Sequence, residues 1–229
     1  MPVIRFRSLV LDVDSTLSAV EGIDYLAAMR GDVVSARVAS ITDRAMRGEI
    51  ALEDVYAERL VAVMPQLAEV TSLSYAYVAR MEPGAAEALA QLAAIGVRIV
   101  LVSAGIRDAI LPLARAVGVS DADVHAVRVY FTEKGNYAGF NVASPLTQNG
   151  GKVSVVRGLG LPRPILAVGD GVTDAELKTA DPPAVDAFAA YTGVVAREPV
   201  IKVADYTVHN FKEIVALATG SGKPGSLLA

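Results

Sequence analysis

The stretch Leu9-Val10-Leu11-Asp12-Val13-Asp14-Ser15-Thr16-Leu17 decides most of what the sequence predicts about the fold. An apolar, strand-forming run ends at two carboxylates spaced i, i+2, and two hydroxyl side chains follow at once. Carboxylates at the end of a buried strand are costly unless a cation lies among them. In open α/β sheets, ligands bind in the crevice outside the carboxyl ends of the strands. The alternative is an ordinary polar turn, because Asp and Ser are common turn residues.

The composition narrows the class of protein. The chain has 229 residues, 53% of them hydrophobic and 20% charged, which suits one compact domain with a modest insertion. A net charge of -4 gives no electrostatic footprint for nucleic acid, and the absence of cysteine excludes disulfides and thiolate metal sites. No signal peptide or membrane-spanning run is recognisable. We therefore expect a cytoplasmic monomer or homodimer that binds neither nucleic acid nor membranes.

Apolar runs that end in small or acidic residues recur along the chain, and helical patterns alternate with them. Runs of this kind are typical of strands buried on both faces of a parallel sheet. The predicted strands are Leu9–Asp14, Val97–Ser103 and Ile165–Asp170, and the helices are Gly84–Ile95, Ile106–Val117 and Lys152–Leu159. A hairpin is predicted from Val127–Phe131 and Tyr137–Phe140. The βαβ alternation predicts an α/β fold with a doubly wound, Rossmann-like parallel sheet.

The segment that follows the first strand has only helical periodicity. No strand-like run occurs between Ser18 and Tyr77, where the pattern indicates helices over Ile23–Met29, Val33–Met46 and Leu52–Val63, and a further helical stretch up to Arg80. One crossover rarely needs four helices, so we predict a helical cap over residues 18–77 rather than an ordinary helical layer. The predicted core then comprises residues 1–17 and 78–218. Residues 219–229 are predicted to form a flexible tail, because they are rich in Gly and Ser.

Four segments carry residues suited to one chemical site. They are Asp12–Thr16, Leu101–Gly105, Gly150–Lys152 and Val168–Asp174. Each lies at a strand end or a helix start, where backbone amides and the helix dipole favour anions. Taken singly, each has an ordinary explanation: a capping serine, a solvated lysine, a first-turn acid or a glycine turn. Because all four segments are expected at the same edge of the sheet, they favour one site that holds a cation and an anion together.

In this order the four segments resemble the haloacid dehalogenase superfamily of aspartyl-phosphate phosphatases. The chain is more narrowly similar to the phosphoserine phosphatase subfamily, and the similarity runs from Ser8 to Leu217. This narrower resemblance depends on Asp12–Thr16, Glu21–Asp24, Val102–Arg107, Tyr137–Phe140, Gly150–Lys152, Gly169–Asp174 and Asp181–Phe188. The resemblance implies Mg²⁺-dependent hydrolysis of a small phosphate ester, phosphoserine, in L-serine biosynthesis.

The resemblance also implies a role for each residue of the core motifs. Asp12 would be the nucleophile, and Asp14 the general acid and base. Mg²⁺ would be held by Asp12, the Asp14 carbonyl and Asp170, with Asp174 supporting it directly or through water. The phosphoryl group would be bound by Lys152, Ser103 and the amides around Ala104 and Gly105. A cation there would offset the repulsion between a carboxylate nucleophile and a phosphate dianion.

Substrate recognition is expected from the predicted cap and its surroundings. By resemblance, Glu21 would bind the α-ammonium group and Arg59 the α-carboxylate, and Thr173 is included in the substrate-binding set. For Arg59 alone a solvated helix charge remains the alternative. Thr173 stands where some relatives have Asn, and Ala104 where many have Gly. Two other functions stay open: the same chemistry on another small ester or with homoserine as phosphoryl acceptor, and a non-catalytic module that binds a phospho-ligand or partner.

Overall fold

A six-stranded parallel sheet forms the centre of the protein. The computed structural model describes residues 4–46 and 52–220 of the chain. The sheet comprises β1 (Ser8–Leu11), β2 (Arg98–Ile106), β3 (Val124–Val127), β6 (Ile165–Gly169), β7 (Ala187–Tyr191) and β8 (Tyr206–Val208). A separate antiparallel ribbon pairs β4 (Val129–Phe131) with β5 (Tyr137–Phe140).

Helices surround this sheet and also form an insertion after β1. The insertion holds α1 (Gly22–Met29), α2 (Asp32–Met46), α3 (Leu52–Val63) and α4 (Leu67–Ala79). The other helices are α5 (Ala85–Ala94), α6 (Arg107–Ala116), α7 (Gly151–Gly158), α8 (Val172–Thr179), α9 (Glu198–Ile201) and α10 (Phe211–Thr219).

The strand order places the predicted site. The sheet runs β3-β2-β1-β6-β7-β8, and every neighbouring pair is parallel. The chain winds outward from β1 to β3 and then returns to place β6 on the other side of β1. Such a reversal opens a crevice at the carboxyl ends of the two central strands. Because Leu11 pairs with both Leu101 and Val168, Asp12 emerges level with the end of β6. The predicted doubly wound α/β fold is confirmed.

The central strands are apolar because helices cover both faces of the sheet. All residues of β1, β6 and β7 are buried, and Leu9, Leu11 and Leu166 have no exposed surface. Burying a leucine side chain fully contributes about 1.5–3 kcal/mol. The strand ends therefore lie on a rigid base, which fixes the positions of the polar residues that follow them.

The helical insertion packs on itself and on the rest of the protein. Helices α1, α2 and α3 contact one another, and α4 packs along α6 beside the sheet. Apolar residues recur at helical spacing on α4, where Val70, Leu73 and Tyr77 are buried. This apolar face packs α4 against α6 and α1. The insertion thereby brings α1 and α3 over the carboxyl edge of the sheet.

Several element boundaries differ from the sequence-based prediction. The first strand, predicted over Leu9–Asp14, spans Ser8–Leu11, so both carboxylates lie in the loop that follows it. Strand β2 continues past Ser103 to Ile106, because pairing with β3 resumes at Ile106 after an irregularity that begins at Val102. Val127 belongs to β3, so the antiparallel ribbon starts only at Val129. Thr219, assigned to the flexible tail, is the buried last residue of α10. Gly220, also assigned to the tail, is the C-cap of α10, and residues 221–229 lie outside the described residues. Within the described ranges, no helix is long and apolar enough to cross a bilayer.

Candidate active site

A cavity of about 610 Å³ lies at the carboxyl edge of the sheet, under the helical insertion. Ten of the eleven predicted site residues line it: Asp12, Asp14, Glu21, Arg59, Ser103, Ala104, Gly105, Lys152, Asp170 and Thr173. Asp174, the eleventh, lies behind the wall and contacts Lys152. The topology thus brings all of them together, although they come from five separate parts of the sequence.

The loop after β1 presents the first carboxylates. The Asp12 amide donates to the carbonyl of Val168 at 3.0 Å, so Asp12 is anchored to β6 at the point where β1 ends. The next residues turn sharply, because three successive amides from Thr16 to Ser18 donate to the Val13 carbonyl. Ser15 has a φ of 50°, in the left-handed region that non-glycine residues seldom occupy. Backbone strain of this kind occurs often at functional sites.

Lys152 joins two of the predicted carboxylates. Its Nζ lies 3.0 Å from Asp12 Oδ1 and 2.6 Å from Asp174 Oδ1. All three side chains are buried, with at most 8% of any residue exposed. Burial lowers the pKa of Lys152, but Asp12 and Asp174 outweigh burial and raise that pKa above its ordinary value. Lys152 therefore remains an ammonium ion, so the solvated-lysine alternative is wrong.

Two glycines permit the placement of Asp174. A Cβ on Gly169 would lie 2.2 Å from Asp174 Cγ, a distance that real Cβ atoms do not show. The amide of Gly171 donates to Asp174 Oδ2 at 3.1 Å, so the Asp174 carboxylate caps the start of α8. Asp174 is thus a first-turn acid, as the ordinary explanation required, and also a partner of Lys152. Burial, together with the charge of Asp12, raises the pKa of Asp174 well above its ordinary value.

Three buried carboxylates form a candidate metal site. Ligand atoms of Asp12, Asp170 and Asp174 all lie within 4.8 Å of one another. Hard oxygen donors of this kind are the ligands that Mg²⁺ and Ca²⁺ prefer. Burial raises the pKa of Asp170 and of Asp174, although Arg197 beside Asp170 and Lys152 beside Asp174 partly compensate their charge. A divalent cation would complete that compensation, so the donor set fits one. The Asp14 carboxylate is not in the cluster, and its backbone carbonyl was the predicted ligand.

Asp14 has the environment expected of a proton donor. Its side chain is partly buried at the cavity wall and accepts a hydrogen bond at Oδ1 from the hydroxyl of Tyr77. Burial is the largest influence and raises the pKa of Asp14 to about 8, while the Tyr77 hydrogen bond lowers it and the charge of Asp12 raises it. A carboxyl with this pKa is mostly protonated at neutral pH, and a general acid requires that state.

Ser103 is buried and lines the same cavity as Lys152. Its Oγ accepts a hydrogen bond from the Gly105 amide at 2.9 Å. This amide of β2 therefore already has a hydrogen-bond partner in Ser103, whereas the predicted phosphoryl cradle included it. The Ser103 hydroxyl keeps its own proton to donate. Helix α6 starts at Arg107 with Ile106 as N-cap, so Ser103 is not the N-cap of that helix.

Glu21 and Arg59 reach the cavity from the helical insertion. Glu21 Oε1 accepts from Ser15 Oγ at 2.7 Å, and burial raises the pKa of Glu21. The Arg59 guanidinium forms an ion pair with Asp24 at 2.8 Å. Its Nε is buried and finds no hydrogen-bond partner among the described residues, and the same holds for the hydroxyl of Tyr56. Both residues line the cavity, which places two buried donors in its wall.

Three site residues were missed in the sequence. Arg197 Nε donates to Asp170 Oδ2 at 2.9 Å, and its other nitrogen lies 3.4 Å from Glu21 Oε1. Arg197 is the N-cap residue of the short helix α9 beyond β7, and no local pattern indicates that it reaches Asp170. Tyr56 packs edge-on against Phe140, and Tyr77 contacts Asp14. Neither tyrosine had a signal beyond the helical apolar pattern, which indicates burial and not a role.

Sequence comparisons point to one family. The chain matches the family of haloacid dehalogenase-like hydrolases over residues 9–177. Phosphoserine phosphatase of Mus musculus is 35% identical to it over 211 residues, which cover 91% of each chain. The chloroplastic phosphoserine phosphatase of Arabidopsis thaliana is 33% identical over 212 residues, 91% of this chain and 70% of that protein.

A solved structure shares the fold. The crystal structure of a phosphoserine phosphohydrolase-like protein from Francisella tularensis superimposes with a TM-score of 0.81. The match covers 92% of this chain and 99% of the other, at 23% sequence identity. At that identity the likeness establishes the arrangement of strands and helices only.

Proposed function

We propose that this chain, which belongs to the haloacid dehalogenase-like hydrolase family and to its phosphoserine phosphatases, hydrolyses O-phospho-L-serine to L-serine and phosphate. The observation that supports this most strongly is the contact of Lys152 with both Asp12 and Asp174 in the cavity wall. A carboxylate nucleophile needs positive charge beside it to approach a phosphate dianion. Here a buried ammonium ion supplies that charge within 3.0 Å of Asp12.

The proposed reaction has two steps, in which Asp12 is the nucleophile and Asp14 the general acid and then the general base. An Asp12 carboxylate oxygen attacks phosphorus, and the bond between phosphorus and the serine oxygen breaks. Asp14 gives its proton to the departing serine oxygen, which yields L-serine and an aspartyl-phosphate. Asp14, now a carboxylate, takes a proton from water as that water attacks the phosphoryl group. The bond between phosphorus and the Asp12 oxygen breaks, phosphate leaves, and Asp12 is again a carboxylate while Asp14 is again protonated.

Positive charge and hydrogen bonds hold the phosphoryl group in this scheme. Lys152 and the hydroxyl of Ser103 would bind its oxygens, since both residues line the cavity together with Asp12. Asp12, Asp170 and Asp174, with the carbonyl of Asp14, would hold Mg²⁺. When bound, the ion neutralises phosphoryl charge and reduces its repulsion from the nucleophile. Thr16, which donates to Asp170 Oδ1 at 3.3 Å, would orient that ligand.

Polar groups of the insertion suit an amino acid substrate. Glu21 provides a carboxylate for the α-ammonium group, and Arg59 provides the buried Nε that has no partner among the described residues. Leaving a buried donor unsatisfied costs about 1–3 kcal/mol. A substrate carboxylate that accepts from Arg59 Nε and from the Tyr56 hydroxyl would recover this cost. Thr173 is proposed to line the same subsite, at the start of α8.

A screen of phosphate esters with and without Mg²⁺ tests the function. We expect phosphoserine to be the best substrate and turnover to require the ion. Arg59→Ala should raise KM for phosphoserine about tenfold or more and change KM for p-nitrophenyl phosphate little, because that ester has no carboxylate. Equal effects on both esters would remove Arg59 from the pocket. If p-nitrophenyl phosphate were as good a substrate as phosphoserine, the substrate assignment would fail, and another ester or transfer to homoserine would replace it.

The setting of the enzyme follows from the same proposal. A chain without cysteine suits a reducing compartment, so we place it in the cytoplasm, where it would serve L-serine biosynthesis. A monomer or homodimer stays the prediction for its assembly. Fractionation and sedimentation measurements test these two points.

A further inference from the structure

We propose that Tyr77 is a positioning residue for the general acid: its hydroxyl holds the Asp14 carboxyl group by Oδ1 and leaves Oδ2 to carry the transferred proton. The proposal depends on the phosphatase chemistry above, but adds a residue outside the four motifs. Tyr77 has no exposed surface, and it is not among the residues that line the cavity. It can therefore influence the substrate only through a neighbour.

The hydrogen bond between the two side chains fixes the direction of the carboxyl group. The Tyr77 hydroxyl donates to Asp14 Oδ1 across 63 residues of sequence. An aspartate carboxyl otherwise rotates easily about its last torsion, which has broad energy wells. Because Oδ1 accepts the hydrogen bond of the Tyr77 hydroxyl, the acid proton of Asp14 lies on Oδ2. Asp14 lines the cavity, so its carboxyl group is the link between the buried phenol and the substrate.

The backbone of Tyr77 is tied to the same loop as its hydroxyl. Ser18 Oγ lies within hydrogen-bonding distance of two carbonyls at the end of α4, at 3.0 Å from that of Tyr77 and 3.1 Å from that of Arg80. Ser18 and Asp14 belong to one loop, the one that follows β1. The end of α4 is thus held at two points against the loop that carries the general acid, which makes the phenol a rigid support.

Two glycines leave the space that the phenol occupies. A Cβ on Gly22 would lie 2.3 Å from the Tyr77 hydroxyl oxygen, and a Cβ on Gly105 would lie 3.4 Å from it. Gly22 is the first residue of α1, and Gly105 lies in β2. The ring end therefore fits between the insertion and the sheet only because Gly22 lacks a side chain.

The leaving group gives the proposal a specific test. In the first step the bond from Asp12 to phosphorus forms, the bond from phosphorus to the serine oxygen breaks, and the Asp14 proton moves to that oxygen. An alkoxide such as that of serine needs this proton, whereas p-nitrophenolate leaves without one. Misplacing Asp14 should therefore slow the cleavage of an alkyl ester and leave that of the aryl ester nearly unchanged.

The experiment measures kcat/KM of Tyr77→Phe with phosphoserine and with p-nitrophenyl phosphate, in saturating Mg²⁺. We expect a loss of about 10- to 100-fold with phosphoserine, part of the 10²–10⁴-fold that general acid catalysis supplies, and less than about threefold with the aryl ester. Tyr75→Phe is the matched control, because Tyr75 lies on the same helix and is 71% exposed. It should change neither value.

A second variant displaces the hydroxyl without removing it. Gly22→Ala should give the same selective loss in the wild type, since its Cβ must push the phenol away from Asp14. In the Tyr77→Phe background it should add little, because the hydroxyl is already gone. This non-additivity would show that both changes act through one contact. Circular dichroism and melting curves verify that each variant is folded.

The outcomes separate this proposal from the proposed function. Equal losses on both esters in Tyr77→Phe would show a structural role only, and no loss on either would also overturn the proposal. If the wild type cleaved p-nitrophenyl phosphate but not phosphoserine, the substrate assignment would fail. The same comparison, made with glycerol phosphate as the alkyl ester, would then still decide the role of Tyr77.

Discussion

Replacing Lys152 with Met should destabilise the protein strongly, because it leaves two buried carboxylates without their cation. Nζ lies 3.0 Å from Asp12 and 2.6 Å from Asp174, and only 6% of Lys152 is exposed. At an effective dielectric constant of about 20, each contact contributes roughly 5 to 6 kcal/mol of gross attraction. Desolvation of the three groups offsets much of it, so we expect Lys152→Met to lower the unfolding free energy by about 3–5 kcal/mol.

The unfolding free energy lost in Lys152→Met should be larger at high pH than at low pH. In the variant, the pKa of Asp174 should lie even further above its ordinary value than it does beside Lys152. The carboxyl therefore takes up a proton as pH falls, and its unpaired charge disappears. Lys152 itself is charged throughout this range, since its pKa is raised. The loss should be largest near pH 8 and clearly smaller near pH 5.

Urea denaturation in EDTA at these two pH values measures the effect. Lys178→Met is the matched control, because Lys178 is 30% exposed and lies 3.4 Å from Asp205, which is also partly exposed. The unfolding free energy of Lys178→Met should differ from that of the wild type by no more than about 1 kcal/mol at both pH values. A loss below about 1 kcal/mol for Lys152→Met, or an equal loss at pH 5 and pH 8, would refute this account of the buried ion pairs.

The remaining predictions concern Asp14 and Gly169. Because burial raises the pKa of Asp14 to about 8, kcat/KM for phosphoserine should fall above that pH. A kcat/KM that stays constant above pH 8 would count against Asp14 as the general acid. The folded-state pKa of Asp14 exceeds its unfolded value of about 4, so the protein loses stability as pH rises toward 8 and this carboxyl group loses its proton. The metal-free Asp14→Asn variant, which carries no charge there, should therefore have a higher Tm than the wild type at pH 9. A lower Tm would contradict this prediction. Gly169→Ala should weaken Mg²⁺ binding in calorimetry, because its Cβ would displace Asp174, whereas Gly158→Ala has open space and should bind normally.

Much of the fold was predictable because local patterns and topology agree. Strands β1 and β6 are short apolar runs that end in acids, and parallel strands place such ends at one edge. The site followed from the same rule, since its motifs sit at strand ends or helix starts. The four helices after β1 followed from their periodicity and from the absence of a strand-like run.

Tertiary placement explains what the sequence did not predict. Arg197 reaches Asp170 from the segment beyond β7, whose path depends on packing and not on a local pattern. Tyr77 occupies an apolar position of α4, and its spacing predicts burial without indicating that the hydroxyl meets Asp14. The longer β2 depends on pairing with β3, which a single strand cannot reveal. These features arise from contacts between distant segments.

The covalent intermediate is the most direct test of the account. Enzyme mixed with phosphoserine and Mg²⁺ should be quenched in acid within the first turnovers, digested and analysed by mass spectrometry. We predict one added phosphoryl group on the peptide that contains Asp12, released by hydroxylamine as expected of an acyl phosphate, and none in Asp12→Asn. A phosphoryl group on another residue such as Ser103, or substantial turnover by Asp12→Asn, would contradict the assignment of Asp12 as nucleophile.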